Sequence, residues 1–180
     1  FSISELGYYT QAKKLETIPV STASSVVGSV LFPTFSTIND DLIRLKNVTR
    51  KNLSLITFVS FPMMLLLAII GGNIIIILYG AKWSDSIPMF QILCIGGMFH
   101  MLNVGNTIIF KSLGDGKTYF YLQTIKRIIC IIIIAISSIY GIYALLWCTA
   151  LTQILMYCIN MRYTKKAINY TYTEQLSDII

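Results

Sequence analysis

Charged residues are scarce in this chain of 180 residues, at 12% of the composition against 55% for hydrophobic residues. Soluble globular domains carry roughly twice that share of charge, so the composition excludes a cytosolic enzyme domain and an intrinsically disordered segment. Histidine occurs once, as His100, and the four cysteines lie inside apolar runs without a CxxC spacing. We therefore expect neither a metal site nor a secreted disulfide scaffold.

The sequence also lacks the motifs of catalysis and of nucleic-acid binding. It has no paired-carboxylate site, no HExxH, no phosphate loop leading into GK[ST] and no nucleophile elbow. The stretch 114–117, GDGK, is typical of a turn. The net charge of +6 is not gathered into a basic patch with interleaved aromatic residues. We expect no enzymatic activity, no cofactor and no nucleic-acid partner.

Long runs without charge are what the chain does have. They cover residues 52–81, 86–110 and 128–161, and each exceeds the roughly 20 residues that a helix needs to cross a bilayer. The composition predicts an all-α, polytopic transmembrane helix bundle within residues 1–162, with a cytoplasmic linker at 163–180. The five predicted spans are about 8–33, 53–79, 87–110, 118–138 and 141–162.

Lysine and arginine in the connections predict the orientation, because short connections rich in them stay in the cytoplasm. Basic residues after the first, third and fifth spans outnumber those on the other side by nine to one. The nine are Arg44, Lys46, Arg50, Lys51, Lys111, Lys117, Arg162, Lys165 and Lys166, against Lys82. We predict that the connection 39–52 and the tail after Arg162 are cytoplasmic and that the turn 82–85 lies outside.

Polar residues inside spans are costly, so the faces they share are candidate functional surfaces. At 100° per residue, Gln11, Lys14 and Ser25 lie on one stripe of the first span. Such a stripe suits a wet cavity, although small residues at this spacing also serve close helix packing. Lys13 points elsewhere and can pair with Glu16 at i+3, and both lysines can instead reach the outer interface.

Three further spans carry polar stripes. Their members chosen as cavity-lining candidates are His100, Asn103, Thr107, Gln123 and Gln153. Lys126 and Arg127 lie about 12 Å along a helix from Thr118, and their own span contains no carboxylate. These two cations either extend towards the cytoplasm or bind an anionic ligand. Four spans with polar stripes predict a bundle around a central path.

Several strings in the sequence resemble the Wzx-type polysaccharide flippases of the multidrug, oligosaccharidyl-lipid and polysaccharide exporter superfamily. The strings are GYYTQAKKLETIPV, SSVVGSVLFPTFSTINDD, LYGAKW, FQILCIGGM and SLGDGK, in this order along nearly the whole chain. The resemblance implies a two-lobed bacterial inner-membrane protein that moves an undecaprenyl-diphosphate-linked oligosaccharide by alternating access. The five spans then belong to the C-terminal lobe, and a partner N-terminal lobe is expected, since the chain opens on Phe1.

The resemblance also implies a cationic cavity for the diphosphate. By position, its candidate residues here are Lys14, Lys126 and Arg127. Two other functions stay open at this stage. One is a drug or cation exporter of the same superfamily, for which Glu16 is the one carboxylate within the spans. The other is a membrane-embedded transferase that acts on polyprenyl lipids.

Overall fold

The computed structural model describes residues 2–38 and 40–179. This part of the chain contains five long helices and one short helix. They are α1 (Ile3–Ser36), α2 (Leu42–Tyr79), α3 (Ser86–Ser112), α4 (Gly116–Ser137), α5 (Ile142–Ile168) and α6 (Tyr172–Ser177), with 3-10 turns at Ala81–Trp83 and Ser138–Tyr140. Each of the five long helices is long and apolar enough to cross a membrane, when α4 is taken together with the 3-10 turn that follows it. The predicted all-α, polytopic bundle is confirmed.

Three helices extend well beyond their predicted spans, and α1 (Ile3–Ser36) exceeds the predicted 8–33 at both ends. The second begins at Leu42, where the carboxylate of Asp41 accepts a hydrogen bond from the Arg44 N–H at 2.9 Å. The fifth continues to Ile168 and ends at Asn169 in the left-handed conformation. Hydropathy marks where a span leaves the apolar layer, whereas a helix continues until it is capped. Most of the predicted connection 39–52 is therefore helix, and Asn39 lies outside the described residues.

The segment predicted as a linker, 163–180, is folded over its described part. It continues α5 to Ile168 and then returns to α2 through α6. Arg50 makes a bidentate ion pair with Asp178, with Nε to Oδ2 at 2.7 Å and a second nitrogen to Oδ1 at 3.0 Å. Lys46 Nζ lies 2.8 Å from Glu174 Oε2. We call these contacts between α2 and α6 the α6 clamp. They join segments that are 128 residues apart in sequence.

The third helix is the centre of the bundle. It packs against α1, α2 and α5, while α4 packs mainly against α5. Small residues allow the close approach: a side chain at Gly71 would overlap the Phe90 ring, and one at Gly97 would overlap Met64. A Cβ on Gly96 would lie 3.4 Å from the Ala150 backbone, so α3 and α5 also touch closely.

The second helix presents its apolar side chains to two environments. Leu53, Met64 and Ile75 are buried against the bundle, whereas Phe58 and Ile77 are 77% and 80% exposed. An exposed apolar face on a helix of this length suits contact with lipid chains. Polar side chains can therefore meet on the side of α3 that faces away from α2, between α1, α4 and α5.

Candidate functional site

A groove of about 400 Å³ lies between α3, α4 and α5. We call it the Lys126 pocket. Its polar lining residues are His100, Asn103, Thr107, Lys111, Tyr119, Gln123, Lys126, Arg127, Thr152 and Gln153. Seven of the ten residues predicted from the sequence thus meet in one groove, because helices at 3.6 residues per turn bring one stripe each to the same line of contact.

The Lys126 pocket is cationic. Lys111, Lys126 and Arg127 line it, and its lining contains no carboxylate among the described residues. The ion pairs found in the described ranges all involve other cations. Lys111 instead lies with Nζ 5.2 Å from the centre of the Tyr119 ring, a cation–π contact. Three positive side chains without an internal counter-charge form a surface for an anion.

Asn103 fixes the wall between α3 and α5. Its Nδ2 donates to the Gln153 backbone oxygen at 2.9 Å, and its Oδ1 accepts from Asn160 Nδ2 at 2.8 Å. The Thr107 hydroxyl donates to the Asn103 backbone oxygen at 2.7 Å, within α3 itself. Asn103 is therefore a structural hub of the pocket, and its amide is committed to helix contacts rather than free for a ligand.

A second groove, of about 530 Å³, lies between α1, α3 and α5. We call it the Glu16 pocket. Its polar lining residues are Lys13, Glu16, Thr17, Ser21, Ser24, His100, Thr149 and Gln153. His100 and Gln153 line both pockets, so the two grooves meet at these side chains.

The two pockets follow one another along α3. The Glu16 pocket contacts α3 from Leu93 to His100, and the Lys126 pocket contacts it from His100 to Lys111. Leu93 and Lys111 are about 27 Å apart at 1.5 Å per residue. This distance is close to the roughly 30 Å of a bilayer core. The polar side chains of the two pockets thus follow α3 over a length close to the thickness of a bilayer core, and we call this row of side chains the polar path.

The Glu16 pocket contains an ion pair that the sequence analysis had not placed in the site. Lys13 Nζ lies 2.6 Å from Glu16 Oε2, and the Glu16 side chain is 5% exposed. The signal in the sequence is the spacing of Ala12, Glu16 and Val20, which are all buried and mark the inner face of α1. Lys13 lies at the edge of this face and lines the pocket together with Glu16.

Three predicted residues of α1 lie outside both pockets. Lys14 and Ser25 are exposed, and Gln11 is half-buried. The predicted stripe was rotated from the true inner face by about one residue, so Lys13 occupies the position expected for Lys14. The Ser25 hydroxyl donates to the Thr22 backbone oxygen at 2.8 Å. Within the described ranges, no group of three or more metal-ligating side chains comes together.

Comparison with known proteins shows that this chain is similar to proteins of polysaccharide biosynthesis. Residues 1–88 match the family described as "Polysaccharide biosynthesis protein". The lipopolysaccharide biosynthesis protein WzxC of Escherichia coli (strain K12) is 33% identical over 102 residues, 57% of this chain and 20% of that protein. The resemblance to Wzx-type polysaccharide flippases is confirmed.

Two further relatives cover more of the chain. A Klebsiella pneumoniae protein described as "Uncharacterized membrane protein in cps region" is 30% identical over 159 residues, 84% of this chain and 32% of that protein. The succinoglycan biosynthesis transport protein ExoT of Rhizobium meliloti (strain 1021) is 26% identical over 149 residues, 81% of this chain and 30% of that protein. The chain spans about a fifth to a third of the length of these relatives. No solved structure matches it.

Proposed function

We propose that this chain forms part of a flippase that moves undecaprenyl-diphosphate-linked oligosaccharide from the cytoplasmic to the outer leaflet of the bacterial inner membrane. The observation that carries the proposal is the Lys126 pocket, where Lys111, Lys126 and Arg127 line one groove without a carboxylate among its described lining residues. Charges at membrane depth are costly unless a ligand or partner compensates them. A diphosphate supplies that compensation through charge-assisted hydrogen bonds.

The proposed mechanism is alternating access without a chemical reaction. Lys126 and Arg127 hold the diphosphate, and the hydroxyl and amide groups along the path contact the sugars. A second lobe, outside this chain, completes the cavity and rocks against it. The names of the relatives support a role in surface polysaccharide biosynthesis.

The test neutralises the pocket in the full-length gene product that carries this chain. We expect Lys126→Ala with Arg127→Ala to abolish export of lipid-linked oligosaccharide while the protein still inserts at normal levels. Lys117→Ala is the matched control, because Lys117 is an exposed cation of the same helix outside the pocket. Normal surface polysaccharide in the double variant would overturn the proposal.

Export of a drug or cation is the second candidate, and one observation favours it. Glu16 is a buried carboxylate on the polar path, which is the group that cation transport requires. Under this alternative, the Lys126→Ala, Arg127→Ala variant keeps polysaccharide export, and Glu16→Gln removes cation-driven drug resistance instead. The two phenotypes separate the candidates in one strain.

A further inference from the structure

We infer that Glu16 is a fixed counter-anion that weakens diphosphate binding in the Glu16 pocket and so makes this pocket the release half of the path. The inference rests on the proposed function and adds to it a second station with a role of its own. It concerns how a diphosphate leaves the cationic groove once it has been bound there.

The first observation is the difference in charge between the two pockets. Three cations and no carboxylate line the Lys126 pocket among the described residues, so it attracts an anion strongly. One cation and one carboxylate line the Glu16 pocket, so its formal charge is zero. A diphosphate is therefore held on one side of His100 and Gln153 and only weakly attracted on the other.

The second observation is that the carboxylate is buried and the ammonium is partly exposed. The Glu16 side chain is 5% exposed, while that of Lys13 is 45% exposed. Glu16 lies against the bare backbone of Gly97, where a Cβ would come within 3.4 Å of Glu16 Oε1. The packed wall between α1 and α3 encloses the carboxylate, whereas the more exposed Lys13 ammonium is accessible to a ligand in the groove.

The third observation is that the two pockets are adjacent. His100 and Gln153 line both of them. A phosphate group that moves past these residues meets Lys13, whose ammonium is already occupied by Glu16 at 2.6 Å. The ligand can replace Glu16 at Lys13 only in competition with a tethered anion, which has a high effective concentration. Binding there is brief, and release follows.

The predicted orientation agrees with this direction of movement. The amino-terminal half of α3, which lines the Glu16 pocket, faces outside, and the carboxy-terminal half with Lys111 faces the cytoplasm. A diphosphate is thus captured on the cytoplasmic side and released on the outer side. No bond is formed or broken in this process.

The decisive experiment measures ligand retention in the full-length protein in detergent, with inorganic pyrophosphate as the soluble probe. Measured on a Lys126→Ala, Arg127→Ala background, where the stronger pocket no longer binds the probe, Glu16→Gln should raise the affinity for pyrophosphate on the order of tenfold, because one negative charge has been removed beside the ligand. In the otherwise unaltered protein, Glu16→Gln should export lipid-linked oligosaccharide more slowly than the protein without this change. Asp40→Asn is the control, since Asp40 is an exposed carboxylate outside both pockets.

A compensating variant separates this role from ion coupling. Lys13→Ala leaves the buried carboxylate unpaired, which should repel the diphosphate and reduce export. Lys13→Ala combined with Glu16→Gln makes the pocket neutral again and should restore export to near the unaltered level. If the combined variant stays inactive, or if Glu16→Gln neither tightens binding nor slows export, the inference is wrong. Should Glu16→Gln alone fail to insert, the combined variant decides.

The source of the diphosphate is tested by a second binding arm. Vesicles that contain a polyprenyl diphosphate present the same group on a lipid, and the order of affinities among the variants should be the same as with pyrophosphate. Tighter binding of free pyrophosphate only, with vesicles unaffected, would contradict a lipid-borne ligand at this pocket. Failure of the proposed function is distinct, because it appears as normal export in the Lys126→Ala, Arg127→Ala variant.

Discussion

Replacing Asn103 by alanine should loosen the contact between α3 and α5 more than any change at a neighbouring hydroxyl. The Asn103 amide donates to the Gln153 backbone oxygen and accepts from Asn160, whose side chain is fully buried. Hydrogen bonds between membrane helices contribute on average about 0.6 kcal/mol and at most about 1.7 kcal/mol each. Loss of the two bonds should therefore reduce the free energy of unfolding by roughly 1–3 kcal/mol.

The assay is reversible denaturation of the full-length protein in detergent, followed by circular dichroism. Thr107→Ala is the matched control, because the Thr107 hydroxyl bonds only to the Asn103 backbone oxygen of its own helix. Asn160→Ala should add little to Asn103→Ala, since both remove the same bond. Equal stability of Asn103→Ala and Thr107→Ala, or additive effects of the two asparagine changes, would refute this account of the α3–α5 wall.

Two further predictions concern the membrane sides and the α6 clamp. On a cysteine-less background, Ser84→Cys should be labelled by an impermeant reagent from outside and Lys46→Cys should not; the reverse pattern would overturn the orientation. The Lys46 ammonium, followed by Thr171, lowers the pKa of Glu174 from 4.5 to about 2. Because this pKa is lower in the folded state, the contribution of Glu174 to the clamp is complete above about 4.5 and is lost as the pH falls to about 2. The protection factors of 172–177 in hydrogen exchange, taken relative to the intrinsic rate at each pH, should fall over that range, and Glu174→Gln should lower them at neutral pH; unchanged protection would contradict the clamp.

The sequence predicts the spans well because bilayer thickness imposes a strong constraint on hydropathy. It predicts the Lys126 pocket because His100, Asn103 and Thr107 share a face that geometry alone defines. It places the inner face of α1 less well, since a rotation of 100° separates Lys13 from Lys14 and hydropathy on that helix is too even to fix the angle. The deciding contacts, such as Glu16 against Gly97, are long-range and depend on packing.

The α6 clamp lies beyond sequence reasoning for a related reason. Arg50 and Asp178 are 128 residues apart. The sequence around each of them predicts only a charged side chain at the cytoplasmic surface. Only the reversal of the chain at Asn169, where φ is 52°, brings α6 back to α2. Charge counting assigns both residues to one side of the membrane, which is necessary for the pair but does not predict it.

The polar stripe of α1 and the cations of α4 make different demands on whatever covers this side of the bundle. Most serine and threonine hydroxyls of α1 donate to backbone oxygens of the same helix, as Thr22 does to Ile18 at 2.8 Å and Ser29 to Val26 at 3.0 Å. Such hydroxyl groups are already satisfied and do not require water or a partner helix. Lys126 and Arg127 have no ion pair within the described ranges, and a charge cannot be satisfied by its own helix in this way. The need for a covering lobe or an anionic ligand is therefore strongest at the Lys126 pocket, where three cations line one groove and where the proposed transport path begins.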